Sequence, residues 1–195
     1  QCSRAISKKR LQGKTVFLSS VTDCYNPFEE KYECTRKILE QLTAIDCELS
    51  IATKSKLIRR DVDLLKKCKK LKVSMSVNTL DEQFRKDMDN ASTISERLKT
   101  LEVLHENGIY TILFMSPIFP EITDFRAIIE ASKDYVEEYW FENLNLRGSY
   151  KPRILEYVKT HYPQYTQLYH EIYTEGNMAY WQSLSRAIEA YCSKH

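Results

Sequence analysis

The chain has 195 residues with 29 Lys+Arg against 27 Asp+Glu, enough length for one well-filled core and too even a charge balance for the global basic field of an obligate nucleic-acid binder. No run approaches eighteen consecutive apolar residues, which excludes a membrane-spanning helix, and the opening QCSRAISKKRLQGK has no apolar stretch of signal-peptide length. We expect a soluble, cytoplasmic protein forming a single domain over 1–195, with a core over 1–148 and a helical C-terminal extension over 149–195.

Taken in chain order, Gln1 to Lys14 reads as the end of a helix stopping at Gly13. Thr15 to Ser20 is the first short β-rich run. Four more follow, at Cys47 to Thr53, Lys72 to Asn78, Ile109 to Met115 and Val136 to Asn143, each bounded by polar or turn residues. Between them the period changes to that of a helix. Glu29 to Ile45 places Tyr32, Ile38, Leu39, Leu42 and Ile45 near one face, and Leu57 to Cys68 repeats Leu57, Ile58, Leu64, Leu65 and Cys68. Thr93 with Glu96 makes a capping box for a helix through Leu98, Leu101, Val103 and Leu104, ended by Asn107-Gly108. Ile128 and Ile129 belong to a fourth helix with Asp124 or Thr123 as its N-cap. Beyond Gly148, Tyr150 to Tyr173 is rich in tyrosine and histidine, and Met178 to Tyr191 reads as a last helix. At helical spacing those tyrosines read as packing before they read as a stacking surface for bases.

Strands alternating with helices through short connections are the pattern of parallel βα units. In such folds the loops after the C-terminal strand ends form the ligand face. Those ends carry Ser19, Ser20 and Asp23; Thr53, Lys54 and Ser55; Ser76 and Asn78; Ser116, Pro117 and Ile118; and Glu142, Asn143 and Asn145. One lysine among many hydroxyls and amides suits a zwitterionic or polyhydroxylated small molecule, with Lys54 for a carboxylate or phosphate, Ser76 and Asn78 for hydroxyls, and the Pro117 to Pro120 turn as a shelf for a flat ring. Taken singly, each residue has a plainer reading. Serine and asparagine satisfy turn backbones, Asp23 caps the turn before Pro27, and Lys54 extends to solvent.

Other chemistries find no residues. The four glycines stand at 13, 108, 148 and 176, so neither a dinucleotide fingerprint nor a phosphate loop can be drawn. The histidines at 105, 161, 170 and 195 miss the strand ends, which argues against a zinc hydrolase or a histidine-based triad. The six cysteines, at 2, 24, 34, 47, 68 and 192, are never two or three residues apart, so no local metal-ligand set exists and reduced, mostly buried thiols are expected.

The pieces SSVTDCYNPFE, IATKSKLIRRDVDLL, VSMSVNTLDE, ERLKTLEVLHENGI and SPIFPEITD occur in this order between Lys14 and Leu146. Together they resemble the radical S-adenosylmethionine (radical SAM) superfamily, in its spore photoproduct lyase-like branch. The resemblance implies an α/β partial (β/α)6 TIM-like barrel binding S-adenosylmethionine across its strand ends. Carried over by position, Ser19 and Ser20 look like the segment near the methionine amino group, Lys54 and Ser55 the carboxylate pair, Ser76 and Asn78 the ribose and carboxylate contacts, and Pro117 with Ile118 the adenine shelf.

One departure is large. The superfamily holds a [4Fe-4S] cluster on a CxxxCxxC loop after the first barrel strand, and that spacing is absent here. With Gln1 as first residue, the expectation is a chain lacking that strand, the cluster loop and part of the first helix of a longer enzyme. It would be inactive alone, with catalytic residues unassigned and no metal ligands. The intact enzyme would be a lyase-type iron-sulfur protein generating a 5'-deoxyadenosyl radical, with nucleic-acid repair as the analogous reaction. Cys24 reads first as packing and second as a hydrogen donor. An open edge beside Thr15 to Ser20 is expected, bare or covered by another copy in a homo-oligomer. The alternative is a cluster-free module binding a nucleotide-like ligand or a partner chain.

Overall fold

The structure is a computed structural model and describes residues 8–193. The expected helix end before Gly13 is described only as α1 (Lys8–Leu11), and Gln1 to Ser7 lie outside the described residues. Five strands follow, β1 (Thr15–Leu18), β2 (Glu48–Thr53), β3 (Lys70–Ser76), β4 (Tyr110–Ile118) and β5 (Glu138–Asn143). They form one sheet in sequence order, every neighbouring pair parallel. This is an α/β fold with an open sheet, part of a TIM-like barrel. β1 and β5 are its edges among the described residues.

Register divides the sheet into two faces. Leu49, Ile51, Val73, Met75, Leu113 and Met115 alternate onto the face that packs against helices and are all buried. The opposite face is small on one side and aromatic on the other. Ala52, Ser74 and Ile112 stand in one row and Ser76, Phe114 and Trp140 in the next. The Phe114 and Trp140 rings meet edge to face at 5.9 Å. Lower on that face, Glu138 accepts from Trp140 Nε1 at 2.8 Å, Lys72 Nζ at 3.1 Å and Tyr110 Oη at 3.2 Å.

The helix expected over Glu29 to Ile45 is two helices, α2 (Glu29–Tyr32) and α3 (Cys34–Leu42). Glu33 between them is left-handed at φ 51°. The cause is Glu29, which is buried and turns its carboxylate onto the Thr35 amide at 2.9 Å and the Arg36 amide at 3.3 Å, capping α3 from a distance. The segment Leu57 to Cys68 is likewise divided, into a 3₁₀ turn (Lys56–Asp61) and α4 (Val62–Leu65). Asp61 is fully buried where they meet. It accepts from Arg60 Nε and Arg36 Nη1, both at 2.9 Å, and from Tyr25 Oη at 3.2 Å.

After β3 comes α5 (Glu82–Met88), capped by Asp81 and not anticipated from periodicity. Then α6 (Ile94–Glu106) opens on the Thr93–Glu96 capping box. β4 runs three residues past the expected end because a bulge between Met115 and Ile118 carries pairing around a cis Ser116–Pro117 bond. Asp124, rather than Thr123, caps α7 (Phe125–Glu130); the Thr123 hydroxyl instead accepts from the Phe119 amide at 3.0 Å. The C-terminal stretch forms α8 (Tyr150–His161), a 3₁₀ turn (Pro163–Tyr165), α9 (Thr166–Tyr173) and α10 (Ala179–Cys192). Tyr169 there donates to the Pro120 carbonyl at 3.1 Å, and Tyr180 Oη accepts from the Glu121 amide at 2.9 Å.

No described helix is long and apolar enough to cross a membrane.

Candidate functional site at the strand ends

At the end of β1, Ser19 turns left-handed, φ 75°, and its Oγ accepts from the Cys24 amide at 2.8 Å. This closes a small loop with Ser20 to Thr22 exposed at its tip. Cys24 itself is half-buried, and burial pushes its thiol up to about 11. Asp23 reaches across to the neighbouring strand. Its oxygens accept from the Thr53 hydroxyl at 2.9 Å and the Lys54 amide at 2.8 Å, while also holding the Tyr25 amide at 2.8 Å. A role limited to capping the turn before Pro27 is therefore too small for Asp23.

At the end of β2, Lys54 extends with 38% of its side chain exposed, its Nζ 3.5 Å from Asp89 Oδ2. Ser55 caps the 3₁₀ turn, its Oγ accepting from the Leu57 amide at 3.3 Å. The next residue, Lys56, donates its amide to Ser92 Oγ at 2.8 Å and pairs its ammonium with Glu96.

At the end of β3, the Ser76 carbonyl accepts from Arg97 Nη1 at 3.1 Å. Asn78 donates Nδ2 to the Pro117 carbonyl at 2.9 Å, tying the rims of β3 and β4 together. Pro117 is half-buried at this rim, whereas the Ile118 side chain is 1% exposed and packs in the core, leaving its backbone at the rim. On the far side Ser116 donates to Glu142 at the end of β5.

Ser19, Ser20, Lys54, Ser55, Ser76, Asn78, Pro117 and Ile118 thus all stand at the C-terminal ends of β1 to β4, which parallel pairing places at one end of the sheet. Two residues of this rim escaped the sequence reading: Asp89 and Arg97. Arg97 left a signal, since it falls on the buried stripe of Ile94, Leu101 and Leu104, and a charge on an apolar stripe announces a buried pair. The residue is 1% exposed, and its guanidinium meets the Asp89 carboxylate. Burial alone would raise the Asp89 carboxyl; Arg97, together with the Ala91 amide and Lys54, outweighs it and holds the group below the usual carboxylate range.

Residues 4–131 match the sequence profile of the Radical SAM superfamily. The chain belongs to that superfamily. It is 38% identical over 160 residues to an uncharacterized protein of Methanocaldococcus jannaschii, covering 82% of this chain and 60% of that protein. A protein of Acidianus two-tailed virus is 35% identical over 150 residues, covering 72% and 49%. The chain thus spans about half to three fifths of the length of these relatives. Among solved structures, a spore photoproduct lyase with bound AdoMet and dinucleoside spore photoproduct superposes with TM-score 0.53 at 14% identity, over 84% of this chain and 49% of that one. SuiB of Streptococcus suis superposes with TM-score 0.56 at 14% identity, over 77% and 36%. At such identity these two show the fold.

An iron-sulfur cluster does not fit the described residues. Among the described residues no group of three His, Cys, Asp or Glu side chains could hold a metal ion. The described cysteines are scattered, Cys24 at the rim, Cys34 on α3, Cys47 before β2, Cys68 after α4 and Cys192 on α10. S-adenosylmethionine fits better by donor chemistry, with one partly exposed ammonium for a carboxylate, a serine and an amide for hydroxyls, and a half-buried proline for a ring.

Proposed function

We propose that this chain supplies the S-adenosylmethionine-binding rim of a radical SAM protein. The observation supporting it is that adjacent parallel strands end in Lys54, Ser76, Asn78 and Pro117, each backed by a hydrogen bond, an ion pair or the Asn78–Pro117 tie. In this reading Lys54 pairs with the methionine carboxylate, Ser76 and Asn78 take the ribose and carboxylate oxygens, Pro117 and the Ile118 backbone carry the adenine, and Ser19, Ser20 and Ser55 border the methionine end. When reduced by a cluster, the cofactor supplies a 5'-deoxyadenosyl radical. The residues here bind and orient it; the cluster ligands, like the cytoplasmic setting and the lyase-type reaction, belong to the whole protein's proposed activity.

A nucleic-acid lesion as substrate is supported by the structural likeness to spore photoproduct lyase alone. The second reading, a cluster-free module for a nucleotide-like ligand or partner chain, draws on the missing ligand set among the described residues. An open β1 edge with Phe17 46% exposed supports association of copies through that edge.

Titration calorimetry with S-adenosylmethionine tests the proposal. Binding that Lys54→Ala weakens by about tenfold or more is expected for a lost charge-assisted contact. A chain that binds the ligand equally well without Lys54 would refute the assignment, and anaerobic reconstitution of the whole protein without iron-sulfur absorbance would favour the cluster-free reading.

A further inference from the structure

Asp89 faces two ways. Its Oδ1 is anchored inward, accepting from Arg97 Nη2 at 2.5 Å and from the Ala91 amide at 3.0 Å, while its Oδ2 looks outward to Lys54 Nζ at 3.5 Å. Arg97, buried on the first turns of α6, divides its donors in the same manner. Nη2 goes to Asp89, Nε to the Ser92 carbonyl at 2.8 Å, and Nη1 to the Ser76 carbonyl at 3.1 Å. Arg85 secures the same turn from below, donating Nη1 to the carbonyls of Asp89 at 3.0 Å and Ala91 at 3.2 Å. Ser92 returns to the β2 side by accepting the Lys56 amide at 2.8 Å.

One guanidinium therefore fixes both the backbone of Ser76, at the end of β3, and the counter-ion of Lys54, beyond the end of β2. A surface lysine ordinarily keeps its rotamer freedom, and an exposed pair restrains it weakly. Asp89 is different because it is itself immobilised by a buried partner, so it offers Lys54 a fixed target. We propose that Asp89 and Arg97 are positioning residues that set the spacing between the Lys54 ammonium and the β3 rim, and thereby give the site its selectivity for a ligand bearing a carboxylate. This rests on the proposed S-adenosylmethionine reading.

The test compares S-adenosylmethionine with its decarboxylated analogue, by calorimetry on the wild-type chain, Lys54→Ala, Asp89→Asn and Arg97→Lys. In Asp89→Asn the side-chain oxygen can still accept from Arg97 and from the Ala91 amide, but no charge remains to pair with an ammonium, so melting temperature checks that this variant is folded. The wild type should prefer the carboxylate-bearing ligand by about tenfold, the scale of one charge-assisted hydrogen bond. Asp89→Asn should lose most of that preference through weaker S-adenosylmethionine binding alone, with the analogue unaffected. Arg97→Lys should lose it as well, since a single ammonium cannot span the three acceptors. Equal losses for both ligands, an unchanged preference, or tighter S-adenosylmethionine binding in Asp89→Asn would each overturn the inference. A wild type that binds neither ligand, or whose preference survives Lys54→Ala, would instead overturn the proposed role of Lys54.

Discussion

Asp23 crosses from the loop after β1 to Thr53 on β2, each of its carboxylate oxygens 2.9 Å from the Thr53 hydroxyl. Thr53 is 3% exposed, and its Oγ1 also accepts the Ser55 amide at 2.9 Å. Asp23→Ala would leave the hydroxyl and the Lys54 amide without their acceptor, a loss of about 1–3 kcal/mol. Urea denaturation should show that loss, with Asp23→Asn intermediate because its amide oxygen still accepts.

Asp61→Ala should be more damaging. The carboxylate is fully buried and meets Arg36 and Arg60, so its removal takes the shared buried partner from two guanidiniums, leaving them only Asp63 and Glu29, and leaves the Tyr25 hydroxyl without its acceptor. Breaking a buried pair from one side costs about 3–5 kcal/mol. A fall in the urea midpoint at unchanged slope would report this; a variant of native stability would show the cluster to be dispensable.

Acid should destabilise the fold through Asp89 and Glu137. Burial pushes the Glu137 carboxyl up, but bonds from Thr111 and His105 more than reverse it, and its pKa lies below the ordinary 4.5; that of Asp89 lies below 3.8. Folded carboxyls with depressed pKa bind protons less readily than unfolded ones. Their stabilisation is complete above the unfolded values and is lost as pH falls through the folded ones. Thermal melts followed by circular dichroism should show the melting temperature declining from about pH 5 downward, and Glu137→Gln should flatten the decline.

The thiols should separate by reactivity. Cys24 is half-buried with its pKa pushed up to about 11, whereas Cys34 is exposed. Thiolate is the reacting form, so iodoacetamide at neutral pH should label Cys34 well before Cys24, as peptide mass spectrometry would show. Early labelling of Cys24 would mean that the β1 loop opens.

The parallel βα order was legible because each strand is a short apolar run between polar stops, and because Thr93, Glu96 and Gly108 punctuate α6 unambiguously. The break at Glu33 was not, since a glutamate carries no helix-stopping signal; only the fold brings Glu29 onto the amides of Thr35 and Arg36. Strand-end polarity pointed to Lys54, Ser76 and Asn78. Asp89 was invisible for the opposite reason: it lies after a helix, thirty-five positions from the lysine it faces. Long-range charge pairing has no period to read.

The tyrosines of α9 and α10 grip Pro120 and Glu121, immediately beyond the cis bond at Pro117. The fourth corner of the proposed ligand rim is consequently buttressed by helices near the C-terminal end of the chain. Any event that loosens α9 and α10 would unseat the Pro117 corner while leaving the Lys54 corner intact, so on the proposed reading damage at the tail would be felt first by a guest's ring and not by its acid group.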